Sequence, residues 1–298
     1  MHHPHIRQSA SDRAVHGIIL LFLTGCLVVV AYPLLYVLSS SLSSPRAISA
    51  GKVWLLPVEW TLDGYAAVFK NSQIVTGFTN SILYMAGGTA LNLVMTVLAA
   101  YPLTRRQFAP RNKVMLFFVI TMFFSGGLIP YYLLVKELGM IDTRWAMIVP
   151  TALSAWNVIL MRTYIANSIP EDLHEAASMD GCGDFKYLTK IVLPLSKPIL
   201  AVIGLYVAVG IWNSYFNALI FLKSADLQPL QLVLRNILIL NMIDPTMIKD
   251  FDALMRRQGL TDVIKYAVII VSSAPVLVLY PFVQKYFVRG VMIGAIKG

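Results

Sequence analysis

The chain has 298 residues, of which 57% are hydrophobic and 13% are charged, and its formal net charge is +9. This number of charged side chains is too small to cover the surface of a soluble globule of this length. The composition therefore excludes an ordinary soluble protein and predicts an integral membrane protein. Membrane orientation is the simplest explanation of the basic excess, and nucleic-acid binding is not needed to explain it.

Apolar stretches long enough to cross about 30 Å of hydrocarbon as a helix recur along the whole chain. We predict six spans, at residues 17–38, 77–101, 113–135, 145–165, 199–222 and 263–287. The first span is too long for a cleaved signal peptide, so we expect it to remain as an anchor. The sequence thus predicts an all-α integral membrane protein with a transmembrane domain at 17–287 and tails at 1–16 and 288–298.

The distribution of Lys and Arg between the loops predicts the orientation of these spans. The loop after span two carries Arg105, Arg106, Arg111 and Lys113 without an acidic residue, and the C-terminal tail is also basic without acids. The loops after spans three and five balance basic residues against acidic ones. We therefore predict that both termini, and the loop at about 166–197, lie in the cytoplasm.

Several kinds of chemistry are missing from the sequence. There is no GxxxxGK[ST] phosphate loop and no HExxH metal motif, and the middles of the predicted spans lack ionisable residues. We expect no catalytic residue, no metal site and no cofactor in this chain. If the protein moves a solute uphill, the energy must come from a partner.

Span three contains a potential helix break at Ser125, Gly126, Gly127 and Pro130. Such residues free backbone groups, which must find partners in protein or in a hydrated cavity. A translocation path is one such place, and a kink that lets neighbouring helices pack is the alternative. In span four, the pair Trp156 and Asn157 is a weaker candidate for the same path.

The polar loop after span four is predicted to begin with a short helix. Pro170 suits a first helical turn, and the acidic residues that follow it favour the positive end of the helix dipole. Leu173, Ala176 and Ala177 then form a stripe of apolar and small side chains, and Gly181 ends the helix because it tolerates a left-handed conformation.

A second short helix is predicted to follow, capped by Asp184 and ended by Pro194. Two short helices at an angle form a surface suited to docking a partner protein. An amphipathic hairpin that lies on the lipid headgroups is the alternative that composition leaves open.

The same loop resembles the EAA signature of ATP-binding-cassette (ABC) importer permeases, in the spacing typical of carbohydrate importers. The matching segments are Glu175-Ala176-Ala177, Asp180-Gly181, Ile191, Leu193-Pro194 and Pro198, with Cys182 where the family usually has Ala. The resemblance favours docking, with the loop resting in a groove of an ATPase subunit. It implies coupling roles for Leu173, Glu175, Ala176, Ala177, Asp180, Gly181 and Pro194, with Glu175 in an ion pair, Gly181 in the turn, and Leu173 and Ala177 in the apolar contact.

Span five resembles the Trp-Asn motif of the same family through Trp212, Asn213, Tyr215 and Asn217. The two asparagines are four residues apart and are expected to share one helix face. Their amides could line a hydrated sugar path with aromatic walls, or they could hydrogen-bond neighbouring helices.

The C-terminal tail resembles that of the maltose-type permease with six spans, which reaches toward the interface of the two ATPase subunits. Gly290, Gly294, Lys297 and Gly298 stand at the matching positions. A basic tail close to anionic lipid is the alternative.

Taken over the whole chain, the resemblance implies a type I ABC importer permease in a bacterial inner membrane. The implied partners are a second permease, two ATPase subunits that bind ATP and Mg²⁺, and an extracytoplasmic solute-binding protein that delivers an oligosaccharide. Similar permeases include importers of acidic sugars such as alginate fragments. An ion-coupled secondary transporter and a membrane-bound enzyme are the alternative functions.

Overall fold

The computed structural model describes residues 10–240 and 262–278, together with Pro281 and Gln284. All regular structure within these residues is helical, as the sequence predicts. The α-helices are α1 Ala10–Ser41, α2 Pro45–Ser49, α3 Asp63–Lys70, α4 Ser72–Ala100, α5 Arg111–Phe123, α6 Leu128–Glu137, α7 Trp145–Ile148, α8 Ala155–Ser168, α9 Glu171–Met179, α10 Asp184–Tyr187, α11 Leu193–Leu195, α12 Lys197–Asn213, α13 Phe216–Phe221, α14 Leu230–Leu240 and α15 at 262–278. Shorter segments are 3₁₀ turns at Pro102–Thr104, Val149–Thr151 and Ala225–Leu227 and a π-helical segment at Leu188–Val192.

The described residues divide into two compact units, one formed by 10–70 with 262–271 and the other by 71–240 with 272–278. In the first unit, the long apolar helix α1 leaves most of its side chains exposed, whereas hydroxyl groups at its C-terminal end form hydrogen bonds with the segment that follows. Ser39 donates to the Leu55 carbonyl at 2.6 Å, and the hydroxyls of Ser41 and Tyr65 lie 2.8 Å apart. These bonds satisfy polar groups at the point where the helix gives way to a connecting segment.

In the second unit, α4 is the central helix, and α8, α12 and α14 pack around it. α4 and α14 approach each other closely at Gly77, where an added Cβ would come within 3.2 Å of the Leu230 backbone. Polar side chains of α4 hold the chain that leads into α14: Asn80 and Tyr84 donate to backbone carbonyls of residues 226–228, and Ser81 accepts from the Leu230 amide. Part of the connection after span five is therefore packed against a span.

The predicted spans differ in their continuity. α1 and α4 are single helices that are long and apolar enough to cross a membrane. Span three is divided into α5 and α6, which meet at 116°, and span four is divided between α7, a 3₁₀ turn and α8. Span five is divided between α12 and α13, and α12 also meets the helical run Asp184–Leu195 at 78°. In span six, the described helical residues are 262–278 with Pro281 and Gln284, so the count of six spans stays a prediction.

Asp142 joins the connection after α6 to the connection after α13. Its backbone has φ +58°, and its carboxylate accepts bonds of 2.8 Å from the amides of Lys223 and Ser224 and of 2.6 Å from the Ser224 hydroxyl. The Ser224 hydroxyl first, and then the two amides, hold the pKa of the Asp142 carboxyl below its ordinary value. The carboxylate thus fixes the spacing of two loops that are far apart in sequence.

Candidate functional site

The helix predicted after Pro170 is present as α9, and it ends as the sequence predicts. Gly181 has φ +73°, its amide donates to the Ser178 carbonyl at 3.0 Å, and the Cys182 amide donates to the Ala177 carbonyl at 2.9 Å. These two bonds form a Schellman motif, which satisfies carbonyls that the helix itself leaves unpaired. The chain therefore turns sharply out of α9 with its backbone polar groups paired.

The second helix of the loop differs from the prediction at both ends. Gly183 is the N-cap residue, and Asp184 is the first helical residue and makes no capping bond. Pro194 does not end the helix, because the helical run continues to Leu195. Pro194 has no N–H for the Lys190 carbonyl and its ring would crowd that carbonyl, and the preceding turn widens into the π-helical segment. The bend comes at Ser196, whose amide still donates to Val192.

α9 has one buried face and one exposed face. His174 is buried, and Ala177 is half-buried and packs against the core formed by α4, α8 and the loop. Leu173, Glu175 and Met179 are exposed, and Met179 retains 90% of its accessible surface. The predicted apolar pair of Leu173 and Ala177 is therefore divided between the two faces.

We call six of the exposed side chains of this loop the docking face. Its members share an outward position on α9 or at the start of α10, and they are Leu173, Glu175, Ala176, Met179, Asp180 and Phe185. Phe185 is 75% exposed. Exposed Met and Phe side chains, on a helix with a packed back, are typical of a surface that binds another protein.

The loop is held to the end of α4 by a cluster of polar and aromatic side chains. The Tyr101 hydroxyl donates to the Asp184 carboxylate at 3.2 Å, and His174 Nε2 lies 3.4 Å from the same Asp184 oxygen. The His174 ring meets the Tyr187 ring edge-on at 4.9 Å, and the Arg105 guanidinium lies over the Tyr101 ring at 5.1 Å. The docking face is thereby connected to the central helix of the unit.

Sequence reasoning did not identify Tyr101, His174 or Tyr187 as members of this cluster. Tyr101 and Asp184 are separated by 83 residues, and neither carries a local pattern that predicts the contact. Their pairing depends on how α4 packs beside the loop.

The predicted break in span three is present. α5 ends at Phe123, α6 begins at Leu128, and Gly127 between them has φ +82°. The Ser125 hydroxyl accepts a bond of 3.2 Å from the Gly127 amide, and Ser125, Gly126 and Gly127 are all exposed. Pro130 lies in the first turn of α6, where its missing N–H costs no helical bond.

Trp156 and Asn157 stand side by side but face different surroundings. Asn157 is buried and donates a bond of 3.2 Å to Asn92 Oδ1, while Asn92 donates to the Thr151 carbonyl at 2.8 Å. Thr96 also donates to Asn92 Oδ1 at 3.3 Å. Asn157 is therefore a member of a buried amide network that joins α4 and α8, and sequence reasoning missed Asn92.

Trp156 instead lines an open groove between α8 and α12. It is 57% exposed, and Tyr206 on α12 is 75% exposed. Two cavities, of about 410 Å³ and about 340 Å³, share Trp156, Asn157 and Tyr206 in their walls. The groove thus has two aromatic side chains on its sides and the edge of the amide network at its base.

The Trp-Asn motif of span five is divided by the break between α12 and α13. Trp212 is buried, and its indole N–H donates to the Ser272 carbonyl at 2.9 Å, so the structure places it in packing. Asn213 is the last residue of α12 and is exposed, whereas Asn217 is half-buried in α13. The expectation that both asparagines share one face of a continuous helix is wrong, because Ser214 is extended and Asn-Ser-Tyr is a poor helix-forming sequence.

Tyr215 precedes α13 and is exposed. The predicted tail residues Gly290, Gly294, Lys297 and Gly298 lie outside the described residues.

Comparison with known proteins adds a family and close relatives. The profile of the family described as "Binding-protein-dependent transport system inner membrane component" matches residues 93–293. Protein LplC of Bacillus subtilis (strain 168) is 37% identical over 279 residues, which are 94% of this chain and 93% of LplC. YtcP of the same organism, described as a polygalacturonan/rhamnogalacturonan transport system permease protein, is 37% identical over 288 residues, which are 96% of this chain and 98% of YtcP.

A solved structure is also similar over almost the whole chain. It is described as a bacterial ABC transporter involved in the import of the acidic polysaccharide alginate. Its matching chain is 34% identical, with a TM-score of 0.88, and the match covers 95% of this chain and 99% of that chain.

Proposed function

This chain belongs to the family of inner membrane components of binding-protein-dependent transport systems, and we propose that it moves an oligosaccharide while its docking face transmits force from partner ATPase subunits. It is the permease subunit of an ABC importer, and the resemblance identified in the sequence is confirmed. Its fold is that of a type I importer permease.

The observation that carries the proposal is the arrangement of α9. Its outer side presents apolar and acidic side chains, and its inner side is fixed to α4 through His174, Asp184 and Tyr101. A groove of an ATPase subunit would accept Leu173 and Met179 and pair a basic group with Glu175. Closure of the ATPase pair on ATP and Mg²⁺ would then displace α9 and α4 together, since they are connected.

We assign the groove between α8 and α12 to the translocation path. Sugar rings present apolar C–H faces as well as hydroxyls, so the exposed rings of Trp156 and Tyr206 suit the faces and polar groups at the base suit the hydroxyls. The side chains that line the groove carry no charge. Weak, uncharged contacts suit a path from which the solute must also leave.

The substrate class that we propose is an acidic oligosaccharide. Both YtcP and the alginate importer carry descriptions that concern acidic polysaccharides. Because the groove lacks a basic side chain, the charge complementary to the uronate groups would come from the second permease or from the solute-binding protein.

The proposed orientation places both termini, and the end of α4 that carries Tyr101, on the cytoplasmic side. This follows from the basic loop at 105–113 and the positive-inside rule. The tail at 288–298 would then lie near the ATPase subunits.

The test is oligosaccharide-dependent ATP hydrolysis by the purified assembly with its solute-binding protein. Oligogalacturonide or alginate oligosaccharide should stimulate hydrolysis more than neutral maltodextrin does. Trp156→Ala and Tyr206→Ala should weaken the stimulation, whereas Trp145→Ala, which removes an exposed ring outside the groove, should not. Equal stimulation by neutral and acidic sugars would exclude the substrate class, and unchanged stimulation in both groove variants would exclude the path.

A further inference from the structure

A polar cavity of about 390 Å³ lies beside α9, where the α4–α5 connection and the end of α8 meet the start of that helix. Four arginines line it: Arg105, Arg106, Arg111 and Arg162. Glu171 also lines the cavity, but among the described residues the side-chain ion pairs are His174 with Asp184 and Lys265 with Asp262. Among the described residues, none of the four guanidinium groups therefore lies within 4 Å of a carboxylate oxygen.

The internal bonds of these arginines leave most of their donors unused. Arg162 Nε donates to the Leu103 carbonyl at 3.2 Å, and Arg105 Nε donates to the Thr104 hydroxyl at 3.3 Å. Arg105 Nη1 is buried without a hydrogen-bond partner in the structure. This nitrogen is enclosed by protein, and its guanidinium lies over the Tyr101 and Tyr187 rings, so it does not itself face the cavity. The guanidinium donors that face the cavity are therefore those of the other three arginines, Arg106, Arg111 and Arg162.

The start of α5 adds a second, independent source of positive potential. Pro110 is its N-cap residue and supplies no side-chain acceptor, so the first amides of this helix are not capped by a side chain. Arg111 and Asn112, the first two helical residues, line the same cavity. The Arg111 amide is paired with the Phe108 carbonyl at 3.1 Å, which leaves the amides of Asn112 and Lys113 without a cap. Uncapped amides at a helix N-terminus favour an anion, and phosphate oxygens suit them well.

We propose that this cavity binds a phosphate group, and that the phosphate belongs to the headgroup of an anionic phospholipid. Guanidinium groups bind phosphate oxygens through paired hydrogen bonds, and several of them around one cavity suit a phosphate better than a single carboxylate. One turn beyond the cavity, α5 exposes Leu116 and Phe117, along which an acyl chain could lie. The positive-inside rule explains basic residues on this side, but it does not explain why they line a cavity with an uncapped helix start.

The choice of lipid rests on the proposed orientation, which places the cavity at the cytoplasmic leaflet. Its position beside Glu171 and Pro170 also places the phosphate at the base of α9. Binding there would stabilise the connection between α4, α5 and the docking face, and so would link the lipid composition to coupling.

The test compares two double variants of the intact importer. Each is reconstituted in nanodiscs with or without phosphatidylglycerol and is then released for measurement. In Arg106→Gln/Arg111→Gln the cavity loses two charges, and in the control Lys186→Gln/Lys190→Gln the nearby loop loses two exposed charges outside it. Native mass spectrometry counts the phosphatidylglycerol molecules that remain bound. We expect the arginine variant to bind this lipid about 10- to 30-fold more weakly and the control to match the wild type.

A second arm identifies the source of the phosphate. In neutral detergent without phosphatidylglycerol, inorganic phosphate is added and the thermal midpoint of the importer is measured. Suppose that phosphate raises the midpoint of the wild type but not of the arginine variant, while both retain phosphatidylglycerol equally. That result would assign the site to free phosphate and overturn the proposal of a lipid. If neither lipid retention nor the phosphate response depends on the arginines, the cavity is not a phosphate site. Oligosaccharide-dependent ATP hydrolysis of the same preparations tests the proposed function separately.

Discussion

The hydroxyl of Tyr101, just beyond the end of α4, donates a hydrogen bond of 3.2 Å to the carboxylate of Asp184, the first residue of α10. Through this bond, the loop that carries the docking face is joined to the helix around which its unit packs. In the proposed function, a force applied to α9 would pass to α4 through this contact.

Tyr101→Phe removes this hydrogen bond but keeps the ring that lies under Arg105. Because Asp184 is largely exposed, we expect the contact between the loop and α4 to lose only about 1 kcal/mol of free energy. The loop should then detach from α4 more often. Hydrogen–deuterium exchange of residues 171–187 should become faster, and solute uptake per ATP hydrolysed should fall. Tyr32→Phe, which changes an exposed tyrosine of α1, should alter neither quantity. Unchanged exchange in Tyr101→Phe would show that the bond does not hold the loop.

Gly181→Val tests the turn at the end of α9. No atom lies within 4 Å of a Cβ added at Gly181 or at Gly183, so neither site is crowded, but Gly181 has φ +73° and Gly183 has φ −70°. A β-branched residue is strained at the first value and not at the second. We expect Gly181→Val to lower copurification of the ATPase subunits and uptake, whereas Gly183→Val should keep both. Equal copurification and uptake in the two variants would show that the left-handed turn at Gly181 is not needed for coupling.

Asn92→Leu disrupts the buried amide network between α4 and α8. The change leaves the Asn157 amide, the Thr96 hydroxyl and the Thr151 carbonyl without their partner. We expect the free energy of unfolding to fall by about 1–2 kcal/mol, which lowers the thermal midpoint of the purified assembly. Thr79→Val is the control, because that exposed hydroxyl on the same helix bonds only the Val75 carbonyl. Midpoints lowered equally by both changes would contradict a special role for the network.

Asp142→Asn tests the carboxylate that joins two loops, and Asn tolerates the left-handed backbone of this residue. Since the folded-state pKa of Asp142 is lowered, its stabilisation is complete above the ordinary carboxyl pKa of about 3.9 and is lost as pH falls through the lower folded-state value. At neutral pH the amides of Lys223 and Ser224 should exchange severalfold faster in the variant.

In acid, below the folded-state pKa, the wild type and Asp142→Asn should exchange alike. Asp226→Asn removes an exposed charge from the same connection and should leave the exchange of both amides unchanged. A difference between wild type and Asp142→Asn that persists unchanged into strong acid would mean that the charge is not responsible.

Local patterns predicted the parts of this structure that depend on neighbouring residues. The start of α9 was predicted to within one residue, since Pro170 is its N-cap residue and not part of its first turn. Gly181 predicted the end of α9, and Ser125 to Gly127 predicted the break in span three. These features depend on backbone conformation and helix ends, which a few adjacent residues determine.

The remaining features depend on contacts between distant residues. Asn157 pairs with Asn92 and Trp212 with Ser272, at separations of 65 and 60 residues, and no local pattern announces either bond. The break at Ser214 was missed because the apolar stretch of span five reads as continuous, and Tyr206 gave no signal because a single tyrosine in a span resembles an interior residue.

The dependence of transport on the ATPase subunits is measured by accumulation of a labelled oligosaccharide in proteoliposomes. These contain this chain, its partner permease, the solute-binding protein and ATP, and they are prepared with and without the ATPase subunits. We expect the sugar to be concentrated only when the ATPase subunits are present. Concentration of the sugar against its gradient by vesicles that lack them would contradict this expectation.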